Sequence, residues 1–220
     1  RSLGISVAAM LGGRRHSSLP TDHSVPFASP AEAAAMAREG MHEGYRVIKV
    51  RVGMGLEKDE ARLAAVREAV DGEPQGGEII VATDANGAWL PKEAVMHLRR
   101  WEKYRLGWIE QPVGAEDIEG LRFVRENAAV PVMADESARG PKEILQLVER
   151  GAVDMLHFKL IKAGGFAPLK TMTAIAEAAD VPYMIGQMDE GMLATGAAVQ
   201  AGAASRARYF EVHGYKRVGT

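Results

Sequence analysis

The feature that most constrains the fold is a regular alternation of short apolar runs with helix-like segments along the chain. Apolar runs of this length indicate strands, and longer segments opened by Ser or Pro indicate helices. The strand candidates are residues 19–25, 46–52, 79–83, 107–110, 130–134, 153–160, 181–185 and 207–212. A helix candidate lies in each interval between them. Such an alternation predicts a parallel sheet.

Eight units of this kind close naturally into a (β/α)₈ TIM-type barrel, which is the fold class that we expect for residues 17–220. The rival is a doubly wound open sheet, which would place a glycine-rich phosphate turn after the first strand. The sequence there is Val25-Pro26-Phe27, which does not fit that turn. The last helix of the barrel is expected to be missing or to lie beyond Thr220.

Composition argues against several function classes. The net charge is −2, which gives no electrostatic footprint for nucleic acid or a membrane surface. No apolar run approaches the roughly 20 residues of a transmembrane helix. The chain has no cysteine, which excludes disulfides and thiolate metal sites. This is compatible with the reducing cytoplasm, the location that we expect.

Acidic residues follow or end three successive strand candidates. Asp84, Glu110 and Asp135 lie about 25 residues apart, so that one β/α unit separates each from the next. In a β/α barrel the C-terminal strand ends share one mouth, where three carboxylates would repel one another unless a cation lay between them. Oxygen-only ligation favours Mg²⁺, with Mn²⁺ as an alternative, over zinc.

Basic residues occupy two other strand ends of the predicted barrel. Lys49 and Arg51 are in the second strand candidate, and Lys159 is in the sixth. A lysine near other cations and a metal ion can have a lowered pKa, which makes it a usable base near neutral pH. The predicted mouth therefore combines a cation site with candidate proton acceptors.

Six stretches in chain order resemble the enolase superfamily, and within it the mandelate racemase/muconate lactonizing enzyme family, muconate lactonizing subgroup. They are 48–53 (IKVRVG), 84–87 (DANG), 108–112 (WIEQP), 134–137 (ADES), 159–165 (KLIKAGG) and 188–191 (MDEG). The resemblance implies an enolase C-terminal domain-like barrel and an enzyme that removes the proton α to a carboxylate through an enolate intermediate. It also implies an essential Mg²⁺ held by Asp84, Glu110 and Asp135.

The resemblance assigns Lys159 as the sixth-strand acid/base lysine, and Lys49 is interpreted as a partner of the acids. The family's second-strand motif is usually Lys-x-Lys, whereas this chain has Lys49-Val50-Arg51. Arginine has a pKa above about 12 and is a poor proton acceptor. Our hypothesis is that Lys159 is the base and that Arg51 anchors the substrate carboxylate, which favours one-base chemistry such as cycloisomerisation or β-elimination.

Further candidates are expected to contact the substrate or to support the site. Glu190 aligns with a pocket-lining position of the family, although it could instead cap the following alanine-rich helix. Asn86, Glu136 and Lys162 are assigned supporting roles. The histidines fit no metal spacing and are interpreted as structural, with His157 placed on the face opposite to the inward-facing residues.

The predicted activity is that of an isomerase of the cycloisomerase, racemase or epimerase type, acting on a small carboxylate. One alternative is a lyase that dehydrates a hydroxy acid, and another is a catalytically silent barrel with a structural or interaction role. The family's capping domain is absent from this chain, and residues 1–16 are interpreted as the connector that leaves it. We expect a homo-oligomer, because barrels of this family commonly assemble, and no nucleic-acid or membrane partner.

Overall fold

The computed structural model describes residues 3–214, and within this range it confirms the predicted alternation of strands and helices. The strands are β1 (His23–Val25), β2 (Val47–Arg51), β3 (Ile80–Asp84), β4 (Ile109–Glu110), β5 (Val132–Ala134), β6 (Met155–Lys159), β7 (Tyr183–Gly186) and β8 (Tyr209–Glu211). Each of them falls on a predicted strand, and most differences lie at the ends, where propensity is least informative.

The helices also follow the sequence prediction closely. They are α1 (Val7–Met10), α2 (Pro30–His42), α3 (Leu56–Asp71), α4 (Pro91–Trp101), α5 (Ile118–Asn127), α6 (Pro141–Glu149), α7 (Leu160–Ala163), α8 (Phe166–Ala178) and α9 (Met192–Ala204), with single 3₁₀ turns at Gly76–Glu78 and Glu102–Tyr104. The sequence prediction lacked the short α7, because one helical turn directly after a strand has no periodicity to detect. No helix in the described range is long and apolar enough to cross a membrane.

Helix α2 shows how local sequence sets a helix start. Ser29 is the N-cap: its hydroxyl accepts a hydrogen bond from the Glu32 backbone N–H, and the Glu32 carboxylate accepts one from the Ser29 N–H. Pro30 occupies the first helical position, where its missing N–H costs nothing. The hydrogen bonds from the Ser29 side chain and backbone lower the pKa of Glu32. The expectation that Ser or Pro opens a helix is therefore confirmed for α2.

The chain contains two compact units. The first unit consists of Asp22–Ser137 and Arg150–Asp154, and it carries β1 to β5. Its strands pair in parallel and in chain order. The register places Arg51 opposite Asp84, and Asp84 opposite Glu110. Arg51, Asp84 and Glu110 therefore lie at the same level on three neighbouring strands.

The second unit carries β6, β7 and β8, which also pair in parallel and in chain order. Its described parts are 3–21, Ala138–Glu149 and 155–214. The predicted connector 1–16 and the predicted barrel domain 17–220 extend to residues 1–2 and 215–220, which lie outside the described residues. The boundary between those two domains stays a prediction.

A buried ion pair at the start of α3 fixes the loop that follows β2. Asp59 and Arg62 are almost fully buried, and their Oδ1 and Nη2 atoms are 2.6 Å apart. The Asp59 carboxylate also accepts hydrogen bonds from the Gly53 and Met54 N–H groups, and Arg62 donates to the Arg51 carbonyl at 2.9 Å. The pair therefore holds the end of β2 on which Arg51 lies.

Candidate active site

The three predicted metal ligands lie at the ends of neighbouring strands of the first unit. Asp84 and Glu110 are the last residues of β3 and β4, and they are partners in the strand register. Asp135 comes one residue after β5. Their exposed fractions are 6%, 0% and 3%, so all three carboxyl groups are removed from bulk water. A buried carboxylate is costly unless it is paired or bound to a cation.

Lys49 supplies one positive charge to this cluster. Its Nζ donates a hydrogen bond to Glu110 Oε2 at 3.0 Å and lies 3.7 Å from Asp22 Oδ2. Lys49 is 4% exposed and Asp22 is 1% exposed, so these two groups and Glu110 are all shielded from bulk water. Lys49 thus contacts the acids as the sequence analysis expected, although its functional role stays a prediction. Asp22 lies in the first strand candidate, and the sequence predicted no role for it.

The environment of Asp84 shows that the acids are crowded. Burial, followed by the negative charge of Glu110, raises the pKa of Asp84 well above its ordinary value. Lys49 acts in the opposite direction, while Asp135 and Glu136 add to the increase. Negative charge in the cluster is therefore only partly compensated by Lys49.

Asn86 and Glu136 border the Asp84 carboxylate. The Asn86 N–H donates to Asp84 Oδ1 at 2.9 Å, and its side-chain amide donates to Asp84 Oδ2 and to Glu136 Oε1, both at 3.1 Å. Asp84 therefore also shapes its own turn. Glu136 Oε2 is buried and has no hydrogen-bond partner among residues 3–214.

The side chains of this cluster offer the donor chemistry that a divalent cation requires. Among the described residues they provide three buried carboxylates, a Glu136 carboxylate oxygen without a hydrogen-bond partner, and the Lys49 ammonium beside Glu110. An oxygen-only donor set of this kind suits Mg²⁺. The ligand set that the sequence resemblance implies stays a prediction.

Arg51 stands at the end of β2, level with Asp84, and its side chain is exposed. Its guanidinium carbon lies 5.8 Å from the centroid of the Phe27 ring, a cation–π distance. Arg62 lies on the same ring at 5.3 Å. The Phe27 ring therefore lies within cation–π distance of both guanidinium groups.

The second unit holds the remaining lysine candidates. Lys159, at the end of β6, is 5% exposed, and its Nζ lies 3.8 Å from Glu211 Oε2 and 3.6 Å from Met188 Sδ. Glu211 ends β8 and was missed in the sequence analysis. The same signal that identified Glu110, an acid at the end of an apolar strand, would have found it.

The placement of His157 in the sequence analysis was wrong. Its Nε2 lies 3.5 Å from the Glu211 oxygen that Lys159 also approaches. Successive side chains of a strand alternate between faces, so residues 157 and 159 share a face. The Glu211 carboxylate therefore lies near two basic side chains.

Lys162 and Glu190 also belong to the second unit. Lys162 Nζ donates to the His157 carbonyl at 2.9 Å. Glu190 is half-buried, and its carbonyl accepts a hydrogen bond from Thr195 Oγ1 at 3.4 Å. The N-cap of α9 is Gly191, and no side chain caps the helix, so the capping alternative for Glu190 was wrong. Their contact with a substrate stays a prediction.

Comparison with known proteins identifies the family. The model of the enolase C-terminal domain-like family matches residues 32–218. The L-Ala-D/L-Glu epimerase of Bacillus subtilis (strain 168) is 36% identical over 206 residues, which cover 92% of this chain and 55% of that protein. Muconate cycloisomerase 1-2 of Acinetobacter lwoffii is 31% identical over 200 residues, or 90% of this chain and 51% of that protein.

Comparison with a solved structure supports the same family. The dipeptide epimerase from Enterococcus faecalis V583, complexed with Mg and the dipeptide L-Leu-L-Tyr, matches with a TM-score of 0.87 and 35% identity, covering 93% of this chain and 57% of that one. The chain therefore belongs to the enolase C-terminal domain-like family, and the predicted barrel fold and family resemblance are confirmed. It spans little more than half the length of these relatives.

Proposed function

We propose that this chain is the barrel part of a Mg²⁺-dependent isomerase that removes the proton α to the carboxylate of a small substrate. The observation that carries the proposal is the level placement of Asp84 and Glu110 on adjacent strands, buried and near the Lys49 ammonium. Membership of the enolase C-terminal domain-like family supports it, as do relatives named epimerase and cycloisomerase.

In this proposal three carboxylates hold the cation, which would supply stabilisation of negative charge. Asp84, Glu110 and Asp135 would hold Mg²⁺, which when bound supplies Lewis-acid stabilisation of the charge that develops as the α-proton leaves. Lys49 holds Glu110 in position through its 3.0 Å hydrogen bond. The oxygen-only donor set is the reason to expect Mg²⁺ rather than zinc.

The remaining residues transfer the α-proton and bind the substrate. Lys159 accepts the α-proton at Nζ, and the Glu211 carboxylate 3.8 Å away stabilises the resulting ammonium. Arg51, which is exposed at the end of β2, binds a carboxylate of the substrate. Asn86, Glu136, Lys162 and Glu190 support the site or contact the substrate. The cytoplasmic location, the use of Mn²⁺ and the homo-oligomeric state stay predictions.

Dipeptides are the first substrate class to test, because one relative is named L-Ala-D/L-Glu epimerase and another is a dipeptide epimerase complexed with L-Leu-L-Tyr. The full-length protein is incubated in D₂O with L-Ala-L-Glu, L-Leu-L-Tyr and a set of hydroxy acids, with Mg²⁺ or with EDTA. We expect loss of the Cα proton signal in NMR spectra of a dipeptide, only with Mg²⁺.

Two other outcomes would contradict the proposal. Conversion of a hydroxy acid to a keto acid, without exchange in any dipeptide, would establish the lyase alternative. No exchange and no response to divalent cations would establish the catalytically silent barrel. A heat-inactivated sample of the same protein controls for exchange that the metal catalyses in solution.

A further inference from the structure

Gln111 directly follows Glu110 and is fully buried. Its backbone has a φ of +37°, a conformation that residues other than glycine rarely adopt. Backbone strain of this kind persists only where surrounding contacts over-determine it. The hydrogen bonds of the Gln111 side chain help to hold the residue in this conformation. All of them lie within the first unit.

The side-chain amide of Gln111 links the ends of β4 and β5. Its Oε1 accepts hydrogen bonds from the backbone N–H groups of Asp135 and Ser137, both at 3.0 Å. Its Nε2 donates to the Val113 carbonyl at 2.8 Å and to Ser137 Oγ at 2.9 Å. This one buried amide group thus donates two hydrogen bonds and accepts two.

This arrangement requires the chemistry of an amide. Only Asn and Gln combine an acceptor oxygen with two N–H donors on one side chain, and only Gln has this length. An aliphatic residue would leave the Asp135 and Ser137 N–H groups without their partner in a buried place, and glutamate would remove both donors. The two N–H groups belong to the segment that starts with the third proposed metal ligand.

We propose that Gln111 is a positioning residue that fixes the Asp135 carboxylate relative to Glu110, so that the metal site is formed before the cation binds. This inference rests on the metal site of the proposed function. Gln111 itself is not one of the proposed ligands. Its neighbour Glu110 and its hydrogen-bond partner Asp135 are two of the three ligands, so a shift of this amide would disturb both. Residues that orient metal ligands typically change affinity about 10- to 100-fold when mutated.

The test separates metal affinity from fold stability. Mg²⁺ dissociation constants of the parent, Gln111→Leu and Ser137→Ala are measured by calorimetry, and urea unfolding is measured in EDTA. Gln111→Leu should bind Mg²⁺ about 10- to 100-fold more weakly in its folded state. Ser137→Ala keeps both N–H···Oε1 bonds and should remain within about threefold of the parent, a difference too small for a positioning effect.

A second measurement needs no variant. Amide hydrogen exchange of Asp135 and Ser137 in the parent, recorded in EDTA, should be as slow as that of Val132 in β5, because the amide of Gln111 already holds both groups. Fast exchange at residues 135 and 137 would overturn the proposal, whether or not Gln111→Leu folds.

The outcomes distinguish this inference from the proposed function. A parent protein that does not bind Mg²⁺ would contradict both. A parent that binds Mg²⁺, together with a Gln111→Leu variant of unchanged affinity and lower urea stability, would leave the metal site intact and reduce Gln111 to a structural role.

Discussion

Replacing Lys159 with methionine is expected to lower the Mg²⁺-dependent exchange of the substrate α-proton about 10³-fold, within the range that a positioned general base contributes. Methionine keeps the unbranched chain but has no basic nitrogen. The side chain of Lys159 is 6% exposed and lies near Glu211, so bulk water does not easily replace it as a proton acceptor. The measurement is the rate at which the Cα proton signal of the substrate is lost in D₂O.

Lys170→Met is the matched control for this variant. Lys170 is an exposed lysine on α8 in the same unit, so its replacement should leave the exchange rate unchanged. Circular dichroism of both variants establishes that the fold is retained. Exchange at the parental rate in Lys159→Met would show that another group removes the proton, and the assignment of the base would be abandoned.

Arg51→Lys is expected to add a second proton-transfer route. The guanidinium of the parent stays protonated, so only one face of the α-carbon has a base, whereas a lysine amine at this position can be deprotonated. We expect the parent to exchange the α-proton of one epimer of a dipeptide. The variant should also exchange the other epimer, at least about 100-fold faster than the parent does.

The control for Arg51→Lys is Arg46→Lys, an exposed residue that precedes the same strand at its opposite end. This change should not alter which epimer exchanges. If the parent and Arg51→Lys exchanged both epimers equally, Arg51 would not decide the stereochemistry of the reaction. The site would then need a second base that is already present in the parent.

The alternation of strands and helices could be predicted because it depends on local properties. Apolar runs, and Ser29 and Pro30 as a helix start, each act over a few residues, and the structure follows them. The acids at positions 84 and 110 were found for the same reason. A carboxylate that ends an apolar strand is visible in the sequence without any knowledge of its partners.

Contacts between distant residues could not be predicted in the same way. Gln111 contacts residues 24 and 26 positions away, and no periodicity records such a pair. Asp59 and Arg62 look like an ordinary surface pair on an amphipathic helix, yet both are buried. His157 is a different case, because the two-residue period of a strand already places it beside Lys159.

Asp84, Glu110 and Asp135 are proposed to hold Mg²⁺, and a titration of the full-length protein tests this proposal without a substrate. The unfolding temperature is recorded against Mg²⁺ concentration for the parent, Glu110→Gln and Glu119→Gln, the last being an exposed glutamate of α5. A ligand at 100 times its dissociation constant stabilises the folded state by about 2.7 kcal/mol. We predict a rise in unfolding temperature for the parent and Glu119→Gln and none for Glu110→Gln. No rise in the parent, or an equal rise in Glu110→Gln, would contradict the proposed Mg²⁺ site.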